Sequence, residues 1–336
     1  MSIIRQNAAT RDWVIIATER AKRPHDFVHS RAVTTQLGWK EGCPFCPGNE
    51  ANTPPATYSA PGLVSNADGA WQVRAFSNKY AALSGTGPAQ RRLEGTLFRY
   101  MDGTGAHEVI VEHPQHDHCL ALMDEIEAEA VLKAYRARYQ ELRSLPQVNY
   151  VIIFKNHGVG AGTSLDHPHS QVVATPVAPL QIRQRYQVAT AYYDDTNRCV
   201  YCDMVAAELE IGTRVIWEDD TLVVFHPFAS QSPFETWIAP KRHTASFGFA
   251  TDQDLHSLAR ALRRTLRQLH TALNDPDFNY VVHSAPVGDE QKPYFLWHVQ
   301  IVPRLTTLAG FEMGSGMHIN PALPEETAAF IRGVAA

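Results

Sequence analysis

Residues 167–171 read His167-Pro168-His169-Ser170-Gln171. In an extended segment, residues two apart share a face, so His167, His169 and Gln171 point the same way. A neutral imidazole is a competent nucleophile toward phosphorus and gives a labile N–P bond, which makes His169 the candidate nucleophile. Gln171 can donate to a non-bridging phosphate oxygen and stabilise charge in the transition state. It cannot protonate a leaving group as a third histidine could. The pattern therefore favours a covalent intermediate that waits for an acceptor over simple hydrolysis. Just upstream, Asn156-His157-Gly158-Val159-Gly160-Ala161-Gly162-Thr163-Ser164 places three glycines in five residues. Such a run lets backbone N–H groups approach phosphate oxygens. It is neither a Walker loop nor the dinucleotide fingerprint, and taken alone it also describes a flexible hairpin.

A second chemistry lies in cysteine and histidine. Cys43-Pro44-Phe45-Cys46 and Cys199-Val200-Tyr201-Cys202 each sit on an expected turn, and each is followed by separated histidines in matching order. One such pair could be a buried or redox dithiol. Two with matching histidines point to metal, since zinc takes four soft or borderline ligands in a tetrahedron. The first set is Cys43, Cys46, His116 and His167, with His113 and His118 as rivals of His116. The second is Cys199, Cys202, His243 and His298. Closed four-ligand sites are structural, so zinc in both, or iron in the second, would hold the chain in place rather than activate water. On this assignment Val299 stands at the nucleophile position of the second set, which leaves His169 alone.

The elements that position these groups occur twice, in one order: Cys pair, strand, strand ending in His, helix, strand, strand carrying His-x-Gln. Ile126, Val131, Tyr135, Tyr139 and Leu142 mark one helical face; Leu255, Leu258, Leu262, Leu266 and Leu269 mark another. Asp124 and Asp252 are the expected N-caps. The fold class is therefore α+β: two tandem halves, residues 1–177 and 178–336, with mixed or antiparallel sheets and packing helices. The 336 residues are 44% hydrophobic, enough for a large core. Net charge is −5 with charges scattered through the chain, which speaks against a zinc-dependent nucleic-acid-binding module, the remote alternative, since that predicts a basic face. The longest aliphatic runs are too short to span a bilayer. The first 30 residues carry no apolar stretch of signal-peptide length, and five cysteines make no disulfide framework. A cytoplasmic protein without membrane or nucleic-acid partners is expected.

Together, Arg20-Ala21-Lys22-Arg23-Pro24, Cys43-Pro44-Phe45-Cys46, Asn78, Gly162-Thr163-Ser164 and His167-Pro168-His169-Ser170-Gln171 resemble the galactose-1-phosphate uridylyltransferase family of the histidine triad superfamily. The resemblance implies a ping-pong reaction in which His169 takes UMP from UDP-glucose and passes it to galactose 1-phosphate. It implies that Arg20, Arg23, Asn78, Asn156, Gly162, Thr163, Ser164 and Gln171 bind nucleotide or phosphate. It also implies that Gly310, Phe311 and Glu312 touch sugar, and that the chain forms a homodimer. Lys79 follows Asn78 where an acidic residue is common, and His318 stands near where those enzymes carry a sugar-binding glutamine. The tail and the second Cys pair are more similar to the plant ADP-glucose phosphorylase relatives. An ADP-sugar phosphorylase using the same histidine is therefore the alternative.

Overall fold

The computed structural model describes residues 1–18, 24–28, 38–62, 71–85 and 87–335. Numbered along the chain, β1 (Ile3–Gln6), β2 (Trp13–Ile16) and the late β15 (His318–Asn320) form a small mixed sheet. A hairpin, β5 (Arg92–Glu94) and β6 (Phe98–Tyr100), stands apart. The main sheet contains β3 (Ala56–Pro61), β4 (Trp71–Ser77), β7 (Ala106–Val111), β8 (Tyr150–His157) and β9 (His169–Thr175). It continues with β10 (Val215–Glu218), β11 (Leu222–Phe225), β12 (Thr236–Pro240), β13 (Phe278–His283) and β14 (His298–Pro303). Its spatial order is β3-β4-β7-β9-β8-β13-β14-β12-β11-β10. The seam is β8 against β13, antiparallel, with Val281 opposite Phe154. Outward from that seam the two five-strand sets have the same order. The halves thus share one antiparallel sheet, an α+β architecture, and the expected boundary at 177/178 falls between β9 and α2 (Leu180–Thr196).

Two long helices cover one face. α1 (Glu125–Arg143) follows β7, and α4 (Asp252–Leu273) follows β12. α1 buries Ala128, Val131, Leu132, Tyr135, Tyr139 and Leu142, the three-and-four spacing of an amphipathic helix. Asp124 caps it through a reciprocal box with Glu127. The N-cap of α4 is Thr251, one residue before the expected Asp252, because Asp254 three residues on completes a capping box with it. Leucines of α4 join α1 in a core that also takes Val172 and Ala174 of β9. Strand side chains alternate, so His169 and Gln171 are left for the opposite face. On the second half that face is sealed by α2 and α3 (Val200–Ile211) with Ala189, Val200, Tyr201, Phe225 and Trp237. On the first half it carries Phe45, Trp71, Phe76, Val109 and Val111 around the Cys43–Cys46 turn. The C-terminal region adds α5 (Gly310–Ser315) and α6 (Pro324–Arg332). Among the described residues no helix is long and apolar enough to cross a membrane.

Candidate active site and metal-ligand sets

Cys43, Cys46, His116 and His167 are buried, and their ligand atoms lie within 4.8 Å of one another. Cys46 Sγ is 3.4 Å from His116 Nδ1 and 3.5 Å from His167 Nδ1; Cys43 Sγ is 3.7 Å from His167 Nδ1. Tetrahedral zinc with Zn–S of about 2.3 Å and Zn–N of about 2.0 Å has S···N edges of roughly 3.6 Å, so the donors fit such an ion. His167 Nε2 donates to the His113 carbonyl at 2.8 Å, which leaves Nδ1 as the ligand nitrogen. Burial holds the His167 imidazole down at about 4 and pushes the Cys46 thiol up to about 11. The four groups can hold a metal ion, and a cation would offset the cost of ionising those thiols. His113 and His118 instead meet Glu127, each at 3.1 Å. The Gln115 N–H donates to His113 Nδ1 at 3.0 Å. Nε2 therefore carries the proton and offers no lone pair to a metal.

Cys199, Cys202 and His243 also converge, with Cys202 Sγ 3.3 Å from His243 Nδ1. This pair is not on a turn. Cys199 is the N-cap of α3 and Cys202 lies in its first turn. A hydrogen bond from Cys202 holds the Cys199 thiol down at about 5, against burial. His298 does not join the trio. It opens β14 as His169 opens β9, and each Nδ1 donates to the carbonyl two residues earlier, at 3.0 Å to Leu296 and 2.8 Å to His167. The spacing the halves share is His-x-Gln, His169/Gln171 and His298/Gln300. His298, not Val299, therefore occupies the place that His169 has in the first half, and Leu296 corresponds to His167. Cover closes His298: Trp237 stacks on it at 4.3 Å and 14°, and His283 lies at 4.7 Å on ring centroids. Among the described residues its buried Nε2 has no hydrogen-bond partner. If the trio holds a structural ion, Cys199→Ser lowers the melting temperature by at least ~3 °C while turnover stays within about twofold. Lost turnover at an unchanged melting temperature contradicts that role.

His169 Nδ1–H is spent on the His167 carbonyl, which leaves Nε2 as the lone-pair nitrogen of the neutral ring. Phe45 packs edge-on at 5.3 Å. Burial holds the imidazole below the ordinary histidine range, so it stays neutral and nucleophilic. On the helix side of the strand, Lys155 Nζ is 2.5 Å from Glu112 Oε2, with the two side chains 1% and 0% exposed. Ser170 Oγ also donates to Glu112, as does the Tyr135 hydroxyl at 3.1 Å. Lys155 Nζ further reaches the His169 carbonyl at 3.4 Å.

Gln171 Oε1 lies 2.7 Å from His107 Nε2, and Asn78 Nδ2 lies 3.2 Å from the same nitrogen. No sequence motif marks His107. Its one signal is a place on β7 two residues before Val109, which pairs with Gln171. Asn156 Oδ1 accepts from Asn279 Nδ2 at 2.8 Å, a bond that crosses the seam. The glycine run is not a cradle of free amides. Gly160 N–H donates to Asp277 at 2.6 Å; the N–H groups of Ala161, Gly162 and Thr163 go to carbonyls within the turn. Gly158 has φ +82°, and a Cβ there would lie 1.7 Å from Asp277 Oδ1, so the carboxylate takes the space offered to phosphate. Ser164 is exposed. Gly310, Phe311 and Glu312 lie on α5, none of whose residues is buried. Arg20 and Arg23 fall outside the described residues.

A family model described as galactose-1-phosphate uridyl transferase, N-terminal domain, matches residues 1–179, and a domain of unknown function matches residues 115–331. An ADP-glucose phosphorylase from Arabidopsis thaliana is 35% identical over 334 residues, covering 98% of this chain and 92% of its own. A galactose-1-phosphate uridylyltransferase from Thermotoga maritima is 28% identical, covering 99% and 98%. The solved structure of an Arabidopsis thaliana ADP-glucose phosphorylase with bound ADP-glucose superposes with a TM-score of 0.82 at 31% identity, over 100% of this chain and 99% of that one. A uridylyltransferase structure gives 0.74 at 26% identity, over 99% and 97%. With more than half its length under the family model and a 35% identical relative along nearly all of it, the chain belongs to the galactose-1-phosphate uridyl transferase family.

Proposed function

We propose that His169 Nε2 attacks the α-phosphorus of a nucleoside diphosphate hexose. The bond to the bridging oxygen breaks, hexose 1-phosphate leaves with that electron pair, and the nucleotidyl group stays on Nε2. A phosphate oxygen of the acceptor then attacks phosphorus and the N–P bond breaks. The observation that supports this reading is the Nδ1 tether of His169, which puts the lone pair of the neutral ring on Nε2. Gln171 and Asn78 supply donors for the phosphoryl oxygens. Asn156 and Ser164 border the same strand ends, and Arg20 and Arg23 would add charge. Gly162 and Thr163 serve by shaping the turn rather than by their amides, and Gly310, Phe311 and Glu312 are the candidate hexose contacts. The first ligand set fits zinc. Bound there, zinc would fix the Cys43–Cys46 turn and His167, two residues from the nucleophile, as a structural ion. The functional unit would be a homodimer of two-half chains, 1–177 and 178–336, with only the first half open to substrate.

Exchange of UMP between UDP-glucose and galactose 1-phosphate is the reading the family model supports. A second reading, an ADP-sugar phosphorylase with inorganic phosphate as acceptor, is favoured by the 35% identity to the Arabidopsis thaliana enzyme. Trapping separates them. The protein is incubated without acceptor, with UDP-glucose or with ADP-glucose, and the His169 peptide is weighed. A UMP adduct with release of glucose 1-phosphate is expected for the first, an AMP adduct for the second. No adduct with either donor overturns both.

A further inference from the structure

We propose that His107 is a positioning residue that fixes which end of the Gln171 amide faces the reacting phosphoryl group. The inference rests on the proposed role of Gln171. An amide has an acceptor end and a donor end of nearly the same shape, and a half-turn exchanges them. Only the NH2 end can stabilise negative charge gathering on phosphoryl oxygens; the carbonyl end repels it. Something must hold the amide one way round.

His107 does so through its tautomer. The Ala82 backbone N–H donates to His107 Nδ1 at 3.1 Å. A backbone N–H can only donate, so Nδ1 bears the lone pair and the proton of the neutral ring sits on Nε2. That N–H lies 2.7 Å from Gln171 and can bond only to its oxygen end. The Gln171 NH2 is thereby turned away from His107. Asn78 is set from the other side: its Oδ1 accepts from the Tyr80 N–H at 2.9 Å, which turns Nδ2 toward His107. The 3.2 Å contact between Asn78 Nδ2 and His107 Nε2 joins two donors and makes no hydrogen bond in this tautomer, so Asn78 does not compete with Gln171 for the His107 N–H. The strands supply the reach. Val109 pairs with Gln171, and His107 is the diagonal neighbour on the same face.

The test is a double-mutant cycle on the full-length protein, read as the single-turnover rate of nucleotidyl-His169 formation from UDP-glucose and from ADP-glucose. Gln171→Ala is expected to slow this step about 100-fold. His107→Ala should slow it at least ~10-fold, and the double variant should be no slower than Gln171→Ala alone. Gln171→Glu, which puts an oxygen where the NH2 stood, should be at least as slow as Gln171→Ala. His107→Phe keeps a ring of similar bulk without a donor; it should reproduce the loss and stand in if His107→Ala does not fold. A structural defect would multiply with Gln171→Ala instead. Full multiplication of the two losses, or a wild-type rate in His107→Phe, overturns the proposal. A wild-type rate in Gln171→Ala overturns the role of Gln171 and the proposal with it. Failure of the unmutated protein to form any adduct overturns the underlying nucleotidyl-transfer reading.

Discussion

His169→Ala is expected to lose nucleotidyl transfer by at least ~10⁴-fold while retaining its metal. The two halves of that expectation have separate causes. Transfer is lost because the second-half counterpart cannot substitute. His298 is covered by Trp237 and His283, and its Nε2 is buried. An ion held by Cys43, Cys46, His116 and His167 would be retained, because the hydrogen bond of the His169 ring goes to a main-chain carbonyl and not to that set. Atomic absorption on the purified variant, beside a single-turnover exchange assay, checks both. Metal loss in step with activity would reassign His169 to the ion. Exchange at the parental rate would remove it from the chemistry.

The parts of this site legible in the sequence are those that local spacing determines. His169 and Gln171 share one face by strand alternation wherever β9 lies, whereas His167 precedes the strand in a bend and is placed by its bond to the His113 carbonyl. The first cysteine and histidine set was legible because such ligands are scarce and repeat in order. What escaped depends on tertiary cover or on distant partners. Whether His298 is open or shut is decided by α2, α3 and Trp237, not by its own motif. The shared His-x-Gln spacing pairs His298 with His169; pairing it with His167 would place it in the metal set instead. The glycine run looks like a phosphate loop until Asp277, 117 residues from Gly160, takes its central N–H. His107 acquires its meaning only from the loop amide of Ala82 that sets its tautomer. The cap of α4 shows the limit of local reading from the other side. Thr251 and Asp252 are both good caps, and the box with Asp254 selects the first.

A second large effect is expected at the buried Lys155–Glu112 pair beneath β9. Lys155→Met should cost about 3–5 kcal/mol of folding stability, measured by urea unfolding at pH 7. Glu112 would be left as a buried carboxylate with donors from Ser170 and Tyr135 but no counter-charge. The pH dependence identifies the cause. In the parent, burial pushes the Glu112 carboxyl up, but Lys155 and the hydrogen bonds outweigh it, and the carboxyl lies below its ordinary value. A carboxyl so depressed adds stability above its unfolded value, about 4.3, and that stability fades as pH falls through the folded value. Without Lys155 the balance reverses. Burial raises the folded value, so the variant is relatively most stable in acid and loses ground as pH rises through that raised value. The deficit relative to the parent should therefore shrink from pH 7 to pH 4. A deficit constant with pH would mean that lost packing, not the unpaired charge, is responsible. Adding Glu112→Leu removes that charge and should recover most of the loss. Turnover in the double variant then isolates the remaining role of Lys155, its contact with the His169 carbonyl. If stability returns and transfer stays slow, the ammonium group holds the nucleophile's backbone in place, and the pair serves chemistry as well as folding.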